Sequence, residues 1–266
     1  MPFAQVDGIR YFQFDSLQAL GVRHGIFTRR GGVSPTPWDA LNVGGLVGDD
    51  AGRVLENRRR TFQALDCPLE SLYDVWQVHS REVVCTDEPR LPQQPHLKAD
   101  AILTDQPGVT LFMRFADCVP ILLYDPKRHV VGLVHAGWVG TVSKVAAYAV
   151  QAMQEQYRSA PGDIVAAIGP SIGAHHYEVG QEVIKQVQTA FGQDVSGLLV
   201  RTNGTAEGKA LLDLWAANRL VLEHSGVRQV ELAGICTACH LDDWYSHRGE
   251  NGRTGRFGAL VRVPAR

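Results

Sequence analysis

Two apolar runs, Ile121–Tyr124 and Val130–Val134, are separated by the turn-rich segment Asp125-Pro126-Lys127-Arg128-His129. β-Branched and apolar residues on both sides of such a segment predict an antiparallel hairpin. Beyond it, Trp138 lies between Gly137 and Gly140, which reads as a tight turn. Thr141 is then positioned to cap a helix whose apolar stripe is Val142, Val145, Ala146, Ala149, Met153 and Tyr157. Further strands are expected at 9–14, 22–28, 72–80, 82–86, 99–103, 109–113, 165–168, 230–235 and 259–263. Helices are expected after Asp49-Asp50, at 181–191 and at 214–222. Many strands with about four sizeable helices predict an α+β fold with mixed sheets, and no linker or repeat divides residues 1–266 into more than one domain.

The hairpin has a chemical consequence. Folding it brings the start of the first strand beside the end of the second, so Cys118 and His135 are expected to meet at one open end. A thiol and an imidazole converging there can form a nucleophile–base pair or two ligands of a zinc ion. In the helix after Asp50, Val54, Leu55, Phe62 and Leu65 form one apolar stripe, and Arg58 falls in its middle. An unpaired buried charge costs several kcal/mol, so Arg58 requires an anionic partner, either a carboxylate of the chain or a substrate phosphate.

Composition narrows the class. The 266 residues are 45% hydrophobic and 20% charged, with a formal net charge of −2. That balance makes no electrostatic case for nucleic acid, and no apolar run is long enough to cross a membrane. The first residues lack the charged-then-apolar order of an export signal, and five cysteines without framework spacing suit a reducing compartment, so a cytoplasmic location is expected. Cys236-Thr237-Ala238-Cys239-His240 matches a haem-attachment pattern that implies export, which disfavours haem, and the segment alone is too short for a zinc site. The glycine pairs at 31–32 and 44–45 fit no nucleotide-binding pattern.

Gln77-Val78-His79, Ala116-Asp117-Cys118-Val119-Pro120 and His135-Ala136-Gly137-Trp138-Val139-Gly140 resemble the three signature blocks of the laccase-domain, or YfiH-type, family. Shorter matches, including Leu41-Asn42, Glu56-Asn57-Arg58, Gly169-Pro170-Ser171-Ile172, Tyr177-Glu178-Val179 and Trp244 to Arg248, extend the resemblance in order along nearly the whole chain. The departures are Val139 where the family usually has Arg, His176 where it often has Cys, His247 for a frequent Tyr and Gly249 for a frequent Arg.

The resemblance implies an α/β/β/α sandwich and a zinc site made by His79, Cys118 and His135, with copper as a possible occupant. Three protein ligands leave a fourth position open, as in catalytic zinc. It also implies a purine nucleoside phosphorylase acting on adenosine, inosine, guanosine and methylthioadenosine, with adenosine deaminase activity. Cys118, His135 and Arg58 are then the catalytic candidates, with Asn42, Arg58, Gln77 and Arg248 binding nucleoside or phosphate. Two other readings stand beside it. A copper-dependent phenol oxidase fits the family's name, although ten histidines without a His-x-His pair do not suit a full multicopper centre. A Cys118–His135 hydrolase or deamidase needs a metal-free thiolate. Oligomeric state is not legible.

Overall fold

The hairpin forms as the apolar pattern requires. In the computed structural model, which describes residues 2–200 and 206–264, strand Val119–Asp125 pairs antiparallel with Val130–Ala136, from Val119 opposite Ala136 to Asp125 opposite Val130. Both strands are buried along their whole length. Successive side chains therefore face two different cores. Val119, Ile121, Leu123, Val130 and Val134 meet the helices, whereas Leu122, Tyr124, Val131 and Leu133 meet another sheet.

This hairpin is the centre of a six-stranded sheet ordered Gln229–Leu232, Val165–Ile168, Val119–Asp125, Val130–Ala136, Ala101–Thr104 and Val83–Cys85. Its inner pairs are antiparallel and its two edge pairs are parallel. A second six-stranded sheet runs Phe3–Val6, Ile9–Phe12, Arg23–Phe27, Phe257–Arg262, Thr110–Phe115 and Leu72–Tyr73. The sheets pack face to face through one core in which Ile26, Leu111, Met113, Phe115 and Ala259 oppose Ile102, Leu122, Leu133 and Ala167.

Helices cover the two outer faces. Val145–Tyr157 and Leu214–His224 bury Val145, Ala149, Met153, Val221 and Leu222 on the hairpin sheet. Ala51–Ala64 lays Phe62 against Tyr11, Phe27, Phe112 and Leu260 of the other sheet. The result is the expected α+β fold, layered α/β/β/α. A small third sheet, Glu178–Val179, Ala210–Leu212 and Leu199–Val200, has strands too short for their apolar pattern to announce them.

Three local expectations are corrected. Thr141 caps no helix: a short helix, Trp138–Val142, starts after Gly137, and the chain breaks at Lys144 in the left-handed region (φ 62°) before Val145–Tyr157. The Thr141 hydroxyl instead accepts from the Asn218 amide at 2.9 Å. Leu55 is 58% exposed rather than part of the buried stripe, its place on the inner face being taken by Asn57 and Thr61. Of residues 72–80, only Leu72–Tyr73 is strand. The rest is a loop because its backbone and side chains bond to Leu97, Ala99, Asp100 and Arg114 rather than to a continuous neighbour.

Candidate active site

Pairing of Pro120 with His135 places Cys118 just beyond the hairpin end at which His135 emerges. His135 extends from the face that packs on the other sheet and lies against Phe115, with ring centroids 5.3 Å apart. The third member arrives by the loop after Leu72–Tyr73. His79 Nε2 lies 3.8 Å from Cys118 Sγ, and the His79 and His135 rings are 5.0 Å apart. One donor atom from each of His79, Cys118 and His135 falls within 4.8 Å of the others. The chain thus brings together all three residues expected to share a metal.

A single buried carboxylate holds two of them. Asp100 Oδ1 lies 2.8 Å from His135 Nδ1, leaving Nε2 to face Cys118 and His79. Asp100 Oδ2 accepts from the Val78 and Ser80 backbone N–H groups at 3.1 and 2.6 Å, and from the Ser80 hydroxyl at 2.9 Å. Those two N–H groups flank His79, which sits in the left-handed region at φ 59°. Asp100 is therefore the strap for an otherwise costly backbone conformation. Burial keeps the His135 pKa below its ordinary value against the pull of Asp100, so the imidazole is neutral, as a metal ligand must be.

Cys118 is held by its neighbour. Asp117, at φ 79°, is buried and accepts from the Thr237 and Ser246 hydroxyls at 2.6 and 2.7 Å, and from the Arg248 N–H at 2.6 Å. The long connection between Gln229–Leu232 and Phe257–Arg262 is thereby tied at 237 and at 246–248 beside the thiol. Burial, with Asp117 adding to it, pushes the Cys118 thiol up to about 12, and Arg256 offsets only part of this. A thiol so placed is a poor free nucleophile at neutral pH, and a cation is what turns it into a thiolate. Gly137 completes the arrangement, since a Cβ there would stand 2.9 Å from Cys118 Sγ and 3.0 Å from His79 Cδ2.

His79 and Cys118, but not the buried His135, open onto a cavity of about 240 Å³ whose other lining residues are Asp117, Gly137, Trp138, Val139, Ile172, Tyr177 and Leu214. Trp138 and Tyr177 give it aromatic walls. Arg248 reaches its rim: the guanidinium carbon lies 5.2 Å from the Tyr177 ring centroid and Nη1 donates to the Glu178 carbonyl at 3.0 Å.

The other expected site residues lie outside this lining. Arg58 donates to the Val43 carbonyl at 3.0 Å and faces Asp74 at 3.9 Å, so its anionic partner is internal. Asp74 also meets Arg90 at 2.9 Å, Arg114 at 3.1 Å and His96 at 3.1 Å. Burial acts to raise the Asp74 pKa, but Arg114 above all, with Arg58 and Arg90, outweighs it and holds the carboxyl below its ordinary value. Gln77 bridges the group to the His79 loop, its amide donating to the Arg114 carbonyl at 2.8 Å and accepting from the Arg114 N–H at 3.0 Å. Asn42 is fully buried, and its amide is engaged by Gly44, Asp49 and the Arg256 N–H. Sequence reasoning gave no role to Asp74, Asp100 or Asp117, although Asp117 stands in a signature block, because each acts through partners that only the fold brings to it.

A family model described as multi-copper polyphenol oxidoreductase laccase matches residues 23–264. A purine nucleoside phosphorylase of Deinococcus radiodurans is 39% identical over 93% of this chain and 91% of its own length. Purine nucleoside phosphorylase YlmD of Bacillus subtilis is 37% identical over 89% of this chain and 87% of its own. Among solved structures, YlmD from Geobacillus stearothermophilus superposes with a TM-score of 0.91 at 34% identity, covering 99% of both chains. A hypothetical protein YfiH of Bacillus licheniformis gives 0.90 at 32% identity, over 98% of this chain and 99% of the other. With this breadth of match in sequence and fold, the chain belongs to the multi-copper polyphenol oxidoreductase laccase family, together with YlmD and YfiH.

Proposed function

We propose that this protein is a zinc-containing purine nucleoside phosphorylase, with His79, Cys118 and His135 as the metal ligands. The observation that carries the reading is the convergence of these three donors, with Asp100 holding His135 and the His79 loop, beside an aromatic-walled cavity that His79 and Cys118 line. It is supported by relatives of similar length that bear the name purine nucleoside phosphorylase. Two nitrogens and one sulfur suit zinc, and an ion held by these three residues would keep a fourth position for water or substrate. Copper competes for such a set on intrinsic affinity. A bound zinc ion supplies Lewis-acid polarisation of a water or a substrate oxygen.

The chain's own residues do the rest. Trp138 and Tyr177 offer flat faces to a purine, and Ile172 and Leu214 exclude water from its edges. Arg248 at the rim can hold a phosphate by a bidentate contact. In phosphorolysis a phosphate oxygen bonds to ribose C1′ as the C1′–N9 bond breaks; the purine leaves with the electron pair and takes up a proton. The transition state is positively charged at the ribose, so the phosphate must be oriented without being fully neutralised. Arg58 acts at one remove. It belongs to a buried group in which Arg58, Arg90 and Arg114 surround one carboxylate. Arg114 is near enough to add to the lowering of the His135 pKa. The contacts between Gln77 and Arg114 tie this group to the loop that carries His79.

We include adenosine deamination in the proposal because a zinc ion held by His79, Cys118 and His135 beside an aromatic-walled cavity would supply activated water for attack on a purine. The test is direct. Inosine plus phosphate should yield hypoxanthine and ribose 1-phosphate, with no cleavage when phosphate is left out. Adenosine should yield inosine without phosphate. Phosphate-independent release of base from inosine would overturn the phosphorylase reading.

A further inference from the structure

The Cys236-Thr237-Ala238-Cys239 segment, too short to bind metal alone, does not stand alone in the fold. It follows strand Gln229–Leu232 and packs on the turn Ala174–His176 through the paired residues Ser171 and Cys236. The Thr237 N–H donates to the Ser171 carbonyl at 3.0 Å, which fixes the offset between the two loops. As a result His175 and His176 meet Cys236 and Cys239, and one donor atom from each lies within 4.8 Å of all the others.

The individual distances have the right scale for one ion. His176 Nδ1 lies 3.5 Å from Cys236 Sγ and 3.6 Å from Cys239 Sγ, and His175 Nε2 lies 3.0 Å from Cys239 Sγ. A tetrahedron with metal–sulfur bonds near 2.3 Å and metal–nitrogen bonds near 2.0–2.1 Å has nitrogen–sulfur edges of about 3.6 Å. The Gly173 N–H donates to Cys236 Sγ at 3.2 Å, the contact that stabilises a thiolate. Gly173 is also sterically required, because a Cβ there would stand 2.7 Å from His175 Cε1 and 3.3 Å from Cys236 Cβ. A disulfide between Cys236 and Cys239 would explain neither histidine.

We propose that His175, His176, Cys236 and Cys239 form a second metal site, a closed four-ligand zinc site separate from the cavity. Two thiolates and two imidazoles in tetrahedral range select zinc, and four protein ligands leave no position for substrate, so its role is structural. The site staples the turn 174–176 to the turn 236–239. Tyr177, directly after His176, is a wall of the cavity, and Thr237, between the two cysteines, donates to Asp117 beside Cys118. The second ion thus fixes two supports of the first site while touching neither substrate nor its ligands.

Zinc counting on protein purified without added metal, combined with X-ray absorption, tests this. Wild type should hold two zinc ions per chain, and Cys236→Ser/Cys239→Ser one. Cys118→Ala should retain one, and its zinc edge should report two sulfur and two nitrogen neighbours. Because the double variant can fail by misfolding, the Cys118→Ala spectrum decides independently, with both CxxC cysteines intact. One zinc in wild type and none in Cys118→Ala would overturn the second site while leaving the cavity site standing. One zinc in wild type and none in Cys236→Ser/Cys239→Ser would instead support the second site and remove the first. A Cys236–Cys239 disulfide found by mass spectrometry in the freshly isolated protein would also overturn the proposal.

Discussion

Asp100 and His135 are joined by a 2.8 Å contact between Oδ1 and Nδ1, and the opposite oxygen of the same carboxylate fastens the backbone on both sides of His79. One side chain thereby sets the tautomer of one ligand and the loop position of another. Removing a hydrogen bond of this kind typically lowers metal affinity about 10–100-fold. Asp100→Asn, which keeps the volume but loses the charge, is expected to fall in that range or beyond it, because two ligands respond together. Competition for zinc with a chelator measures it; unchanged affinity would mean that Asp100 has no part in the site.

Gly137 carries a separate prediction. A methyl group at this position has no space between Cys118 Sγ and His79 Cδ2, and its neighbours are rigidly held. Gly137→Ala should lose metal at the cavity site while retaining most of its unfolding free energy, as read by zinc content alongside urea denaturation.

Acid stability should depend on His24. It is buried between the Phe14 N–H, which donates to Nε2 at 2.8 Å, and the Val22 carbonyl, 2.9 Å from Nδ1. Both contacts are satisfied by a neutral ring. Burial lowers its pKa to about 4, against the opposing pull of the Val22 carbonyl. The folded pKa is below the unfolded one, so the unfolded chain binds more protons between them, and stability falls as pH drops from about 6.5 to about 4. The loss is on the order of 3 kcal/mol at 1.36 kcal/mol per pKa unit. Urea unfolding at pH 7 and pH 4.5 should show it, and a His24→Gln variant should show a flatter dependence across that interval.

Asp74 is the carboxylate on which Arg58, Arg90 and Arg114 converge. Replacing one partner of a buried ion pair costs about 3–5 kcal/mol, since the remaining charge stays buried. Asp74→Asn is expected to destabilise the protein by an amount of that order, and by more than Arg58→Ala, which leaves the other two guanidiniums in contact with the acid. Urea midpoints of the two variants decide the order.

The hairpin was readable because turn residues separate two apolar runs, and its pairing alone brought Cys118 to His135. Arg58 was readable as a charge needing a partner, though which partner was not: Asp74 lies in a loop with no pattern of its own. His79 could be placed by family resemblance alone, because its position depends on Asp100, a contact across the fold. The CxxC segment was readable as a motif but not as a site, since its two histidines come from a different loop. Periodicity reports which face of an element is buried; it does not report which loops meet.

One comparison tests the metal site and the reaction together. Wild type and Cys118→Ala, purified in parallel without added metal, are analysed for zinc and assayed with inosine and phosphate. Wild type should hold one more zinc ion per chain than the variant and produce ribose 1-phosphate, while the variant should lose that ion and at least a hundredfold in phosphorolysis, about 2.7 kcal/mol at 1.36 kcal/mol per tenfold. Equal zinc in the two proteins would rule out Cys118 as a ligand, and no ribose 1-phosphate from the zinc-loaded wild type while its copper-loaded form rapidly oxidises a phenol would rule out the phosphorylase.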